Sequence, residues 1–280
     1  MSEQVIREGY KLTEEELRQV QAIQQDLIAE VKRICDKCGI HYNMVGGTML
    51  GAIRHKGYIP WDDDADIGFL RTEYEKFRKA CKMELNHEKY YMQDLRDTGG
   101  YRWGYGKLRR KGTVFLRQNQ EHMPYAQGVF IDIFPLDGVP DNYLLRSLFN
   151  FECFCVRKML WARVGKVADK NLLMRGWYGL LDKAPEQRIF AHYHKMIRRS
   201  RRFGGRMVRT LLYPTANNEY GYYRCWYENT VPMEFEGVEF EAIRDYDSYL
   251  SYEYGDYMEL PPEHKRKAHP VSQLKVDVGQ

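Results

Sequence analysis

Four carboxylates crowd into five residues at Asp62, Asp63, Asp64 and Asp66. In an extended segment, residues two apart share a face, so Asp64 and Asp66 project together. Asp62 joins them if the strand begins early. Crowded carboxylates raise one another's pKa. Either water solvates such a group or a hard divalent cation neutralises it, and Mg²⁺ on carboxylates keeps positions open for phosphate. A fifth acid, Asp132, stands between Ile131 and Ile133 in a very apolar run. A buried carboxylate is costly unless it is paired or metal-bound. Upstream, Gly46-Gly47-Thr48 carries the two features a phosphate needs: glycines that let the backbone approach closely, and the N–H groups of a helix start. Arg54, His55 and Lys56 follow within the same stretch, as cations for phosphate or as salt-bridge partners of the aspartates. Lys107 and Arg109 share one face of a strand, pointing either to phosphate or to water.

These groups need elements to hold them. Residues 13–38 form a helix by pattern, with Thr13 and Glu16 as a capping box, an apolar stripe through Leu17, Val20, Leu27, Val31, Ile34 and Cys38, and Gly39 as the stop. His41–Val45 is a short strand, Thr48–His55 one or two helical turns, Asp66–Leu70 a second strand, and Thr72 the cap of a helix through Cys81. Further strands fall at 90–94, 107–110, 114–117 and 129–134. This order predicts an α/β (α+β) fold with a catalytic core over 1–140. Residues 141–210 form a helical subdomain, with Tyr143, Leu144, Leu148, Phe151, Cys155, Met159 and Ala162 on one apolar face and Pro185 opening another helix. Residues 211–280 hold a hairpin around Glu236-Gly237 and a tyrosine-rich C-terminal segment that packs back on the core.

Composition narrows the function. The 280 residues carry 43 Lys+Arg against 39 Asp+Glu, a balance that excludes a general nucleic-acid coat. The 22 tyrosines are rigid amphipathic surfaces suited to sugar, base or quaternary-amine contacts. No apolar run reaches the roughly 18–20 residues that span a bilayer, and the N-terminal stretch lacks the apolar core of a secretory signal. A cytoplasmic protein is expected. Of the six cysteines, Cys35 and Cys38 sit on the last turn of the first helix, which favours packing over zinc.

The order strand, Gly-Gly-Thr, helix, Asp-x-Asp strand and later apolar Asp strand resembles the polymerase-β-type nucleotidyltransferase fold. Gly47–Gly68, GTMLGAIRHKGYIPWDDDADIG, is similar to the signature of the LicD family, with Ala65 where a larger aliphatic is usual. Phe130–Leu136 and Tyr254–Pro262 resemble its later motifs. The resemblance implies that Asp64, Asp66 and Asp132, extended by Asp62, hold Mg²⁺ or Mn²⁺. It also implies that Gly46, Gly47 and Thr48 touch donor phosphate. Two-metal chemistry of this kind stabilises attacking and leaving oxygens together.

The implied activity is transfer of a phospho-alcohol, phosphocholine foremost, from a CDP-linked donor to a sugar hydroxyl, with release of CMP. The acceptor class would be a glycan or lipid-linked glycan, as in lipopolysaccharide or teichoic acid modification. A nucleotidyltransferase that releases pyrophosphate uses the same carboxylates, and a non-catalytic glycan- or choline-binding protein would need only the aromatics and cations. Trp61 and Trp103 are candidates to stack on base or sugar. The cation cluster Lys195, Arg198, Arg199, Arg201, Arg202, Arg206 and Arg209, together with the apolar helix at 143–162, offers a transient contact with an anionic inner-membrane surface. The plainer expectation is that this helix packs on the catalytic core and the cations face water.

Overall fold

The computed structural model of the protein describes residues 9–203, 205–215, 217–266 and 268–276. Helix α1 (Glu14–Cys38) opens on the Thr13–Glu16 capping box and stops at Gly39 in the left-handed conformation. Its buried side includes Leu17, Val20, Leu27, Val31 and Ile34, as its spacing predicts, but Cys35 rather than Cys38. Next come β1 (Asn43–Met44), α2 (Gly46–His55), β2 (Asp66–Leu70) and α3 (Arg71–Glu84). Two expected starts move. The glycines form the first turn of α2 instead of preceding it, and α3 begins at Arg71, before Thr72.

Strands β3 (Tyr90–Gln93), β4 (Gly106–Arg110), β5 (Val114–Arg117) and β6 (Phe130–Val139) complete the first half. β6 runs beyond the expected end at Phe134, through Pro135. The N–H of Asp132 donates to Ala65, toward β2, so position 135 turns its nitrogen the other way. There β4 has ended at Ile133 and β7 (Met207–Arg209) joins only at Asp137, so no neighbour needs the missing N–H.

Between β6 and β7 lie α4 (Tyr143–Ala168), α5 (Leu172–Leu181) and α6 (Glu186–Ser200). β8 (Tyr222–Tyr223), α7 (Arg224–Glu228), β9 (Thr230–Phe235), β10 (Val238–Ile243), α8 (Tyr246–Tyr254) and β11 (Val271–Lys275) follow. The β9–β10 hairpin turns on Glu236 and Gly237, both at positive φ. The fold is mixed α/β. The main sheet runs β3-β4-β6-β2-β1-β10-β9, with β1–β10 and β2–β6 parallel and the other pairs in that path antiparallel.

Register sorts chemistry from core. Lys107 of β4, Asp132 of β6 and Asp66 of β2 are direct neighbours in one row. Ile67, Leu108, Ile131 and Ile133 point to the opposite face and are fully buried under α1 and α3.

One expectation is overturned in the helical region. α4 buries Arg146, Phe149, Cys153, Val156 and Leu160, while Tyr143, Leu144, Leu148 and Phe151 stand in solvent. The apolar residues circle α4, so spacing alone did not single out the packed side, which the contact with α6 selects. Arg209, expected in a solvated run, is buried in β7 and donates to Asn150 and the carbonyl of Tyr213.

Candidate active site

The acidic run is held in place by polar groups of α1. Gln21 donates to the carbonyl of Asp62, and the fully buried Gln24 donates to the carbonyls of Asp63 and Phe130. From there the chain enters β2, which puts Asp66 beside Asp132. Thr48 of α2 fixes the entrance: its hydroxyl accepts the N–H of Asp66 at 2.7 Å. The two glycines have a steric reason as well. A Cβ on Gly47 would meet Oδ2 of Asp62 at 2.7 Å, and one on Gly46, at φ +55°, would meet Oδ2 of Asp66 at 3.1 Å. They bring the start of α2 onto the carboxylates.

Charge at the site is unbalanced. Lys107 pairs with Asp132 and lies 3.5 Å from the centroid of the Phe130 ring. Arg117 reaches Asp64 at 2.9 Å and Asp63 at 3.5 Å. Burial pushes the Asp66 carboxyl far up, reinforced by Asp64, Asp132 and Asp62. Burial also raises Asp62, with Asp64 and Asp63 adding repulsion. Asp132 is raised by burial in spite of Lys107. Burial opposes the charge on Asp64 too, but Arg117 holds that carboxyl below its usual value. Lys107 is lowered to about 8 by burial, against the pull of Asp132.

Asp62 and Asp64 stand close enough that the charge on Asp64 opposes the charge on Asp62, and burial adds to the cost of holding both ionised. A group that binds protons for want of positive charge suits a hard divalent cation, and carboxylate oxygens are the donors such a cation selects. Asp62, Asp64, Asp66 and Asp132 supply the donor type such a cation takes, and among the described residues the side chains whose ligand atoms all lie within 4.8 Å of one another are Asp63, Asp64 and His269.

Other expected residues lie elsewhere. Arg54, His55 and Lys56 occupy the far end of α2, about 15 Å along a ten-residue helix. Arg54 donates to the carbonyls of Tyr257 and Glu259, His55 sits edge-on to Trp61, and Lys56 caps the helix at positive φ. None of the three touches the aspartates among the described residues. Arg109 shares the face of Lys107 but is held by Gln93 and the carbonyl of Gly128. Cys35 is a buried thiol pushed up by burial, and Cys38 is exposed.

Two cavities flank the row. A basic one of about 320 Å³ is lined by Trp103, Tyr105, Lys107, Arg109, Arg117 and Phe130, among others. A second, of about 330 Å³, opens on Gly46 and Asp66 and is walled by aromatic residues. Arg117 and His269 were missed as site residues. His269 hydrogen-bonds Asp63 at 2.9 Å across more than two hundred residues, and no local pattern announces that contact.

Residues 39–154, spanning β1 to the middle of α4, match the family model described as LicD/FKTN/FKRP, nucleotidyltransferase domain. The chain carries a LicD-family domain. Similarity also extends beyond the LicD-family domain. The chain is 29% identical to the lipopolysaccharide cholinephosphotransferase LicD of Haemophilus influenzae, over 93% of this chain and 98% of that protein. A shorter match, 35% identical over 24% of the chain, joins it to an uncharacterized protein of Rickettsia typhi. Another, 43% identical over 17%, joins it to one of Rickettsia prowazekii.

Proposed function

We propose that this chain is a phosphotransferase that moves a phospho-alcohol, phosphocholine foremost, from a CDP-linked donor to a sugar hydroxyl of a cell-surface glycan precursor, releasing CMP. The observation that carries this reading is the convergence of Asp62, Asp64, Asp66 and Asp132 under the start of α2. It is supported by full-length similarity to a protein named a cholinephosphotransferase. The reading includes a nucleotidyltransferase-type core over 1–140, a helical subdomain over 141–210 and a closing segment over 211–280. Nucleic acid is not a partner in it.

In this reading Asp64, Asp66 and Asp132, extended by Asp62, hold Mg²⁺ or Mn²⁺. When bound, such an ion supplies positive charge to the phosphate oxygens and acidifies an oxygen ligand. The chain's own residues do the rest. Gly46 and Gly47 let the donor approach the backbone, and Thr48 keeps Asp66 in position. Lys107, Arg109 and Arg117 turn the basic cavity toward the nucleotide phosphates. The acceptor oxygen bonds to the terminal phosphorus as the bond to the CMP oxygen breaks. The hydroxyl proton passes to a carboxylate of the cluster. Purified protein with CDP-choline and a sugar acceptor is expected to release CMP only with a divalent cation. Release of pyrophosphate from CTP would instead make it a nucleotidyltransferase, and no turnover of either would leave a binding protein.

A lipid-linked acceptor would bring the enzyme to the inner membrane surface from the cytoplasm. Among the described residues no helix is long and apolar enough to cross a membrane. Helix α5 nevertheless buries only Tyr178, against Gly165 and Lys158 of α4. Leu172 and Leu173 are 77% and 84% exposed, and Trp177 and Leu180 lie open beside them. Lys170, Arg175 and Lys183 flank this face, a charge pattern complementary to anionic headgroups.

A further inference from the structure

The second cavity differs from the first in charge. Phe134, Tyr213, Tyr222, Tyr227 and Tyr249 supply aromatic surface, and among the described residues its ionisable side chains besides tyrosine are Asp66 and Glu253. Among the described residues no Lys, Arg or His lines it. Such a cavity repels phosphate and attracts a cation, and aromatic faces hold a cation that has no hydrogen-bond donors. We propose that this cavity is the receptor for a quaternary ammonium group, with Glu253 as its counter-charge and the tyrosines as its cage.

Three further observations agree. Oε2 of Glu253 is buried with no hydrogen-bond partner among the described residues, so one carboxylate oxygen can face a ligand charge. Burial raises both Glu253 and Tyr222 from their ordinary values, as expected where an acid lacks a cation. Tyr249 accepts the N–H of Gly46 at 3.0 Å, which ties the cage directly to the start of α2. The cavity begins at Asp66 on the β2 side of the row, and the basic cavity begins at Lys107 on the β4 side. A donor with a cationic alcohol at one end and a nucleotide at the other therefore finds opposite charges on either side of the carboxylates.

This assignment rests on the phospho-alcohol transfer proposed above, and its test separates the two. The probes are choline and its neutral carbon isostere 3,3-dimethylbutanol, offered free and as their CDP esters. Ligand-observed NMR on wild-type protein is expected to show saturation of the choline methyl groups and little of the isostere. Glu253→Gln, which keeps the shape, should reduce the preference of kcat/KM for CDP-choline over CDP-dimethylbutanol by about tenfold. Tyr222→Leu should weaken choline binding by a comparable factor, with a melting curve as the control for folding. If both variants keep wild-type choline binding and wild-type preference, the cavity assignment is overturned while the transfer reading stands. If wild type binds choline through Glu253 but turns over no CDP donor, the transfer reading falls and the cation site remains. If wild type binds choline and the isostere equally, the cation site is overturned whatever the turnover.

Discussion

Asp66→Asn should make the metal-free protein more stable while removing its activity. The Asp66 carboxylate has no hydrogen-bond partner among the described residues, and it faces Asp132 across one strand gap. Two carboxylates about 5 Å apart repel by about 3 kcal/mol at an effective dielectric of about 20. Taking up a proton instead costs about 1.4 kcal/mol per pH unit between about 3.9 and 7, about 4 kcal/mol at most. Lys107 offsets part of this, which leaves a penalty of about 2 kcal/mol that the amide removes. For a chain of this size that is a rise in Tm of about 5 °C in chelator.

The sign with pH follows from the raised carboxyl. Wild-type stability is full below the unfolded pKa of about 3.9 and falls as pH rises through the folded value, so the gap to the variant opens across that window. Added Mg²⁺ or Mn²⁺ should stabilise wild type more than the variant. CMP release should drop by about a hundredfold or more, the scale of losing one preorganised electrostatic group. Calorimetry in EDTA and in metal, with CMP release from CDP-choline, measures all three. A variant that melts below wild type in EDTA, or that keeps its turnover, would refute the reasoning.

Gly47→Ala should cost about 1–3 kcal/mol of stability and displace Asp62, with CMP release lowered much more than the circular-dichroism melt implies. Arg117→Leu strips the cation from Asp63 and Asp64. It should destabilise the metal-free protein by about 3 kcal/mol, and Mg²⁺ should restore part of that in the same melt. Co-sedimentation with anionic vesicles should detect wild type at low salt, but neither wild type in about 1 M salt nor a Leu172→Ser/Leu173→Ser variant at low salt. Binding that survives both changes would remove α5 from the contact.

Much of the scaffold was legible because its causes are local. The capping box at Thr13, the stop at Gly39 and the positive-φ turn at Glu236-Gly237 each depend on a few adjacent residues. Strand alternation set Asp132 against its isoleucine neighbours, whereas Asp64 lies before β2 begins at Asp66. The LicD-like motif was legible for the same reason, since its residues are contiguous.

What remained depended on register and packing. Lys107 meets Asp132 because β4 pairs with β6 at that offset, and a shift of one residue would send the lysine to the opposite face. Arg117 of β5, His269 of the loop before β11 and Glu253 of α8 join the site from far away in sequence, through contacts that no spacing rule encodes. The open stripe on α4 follows from the same limit. A helix apolar on several sides does not choose its buried face, and α6 chose it by packing against Phe149, Cys153 and Val156. The acidic residues were thus determined by the sequence itself, and the charges and aromatic walls around them by the tertiary structure, because those partners meet only after the sheet has closed its register.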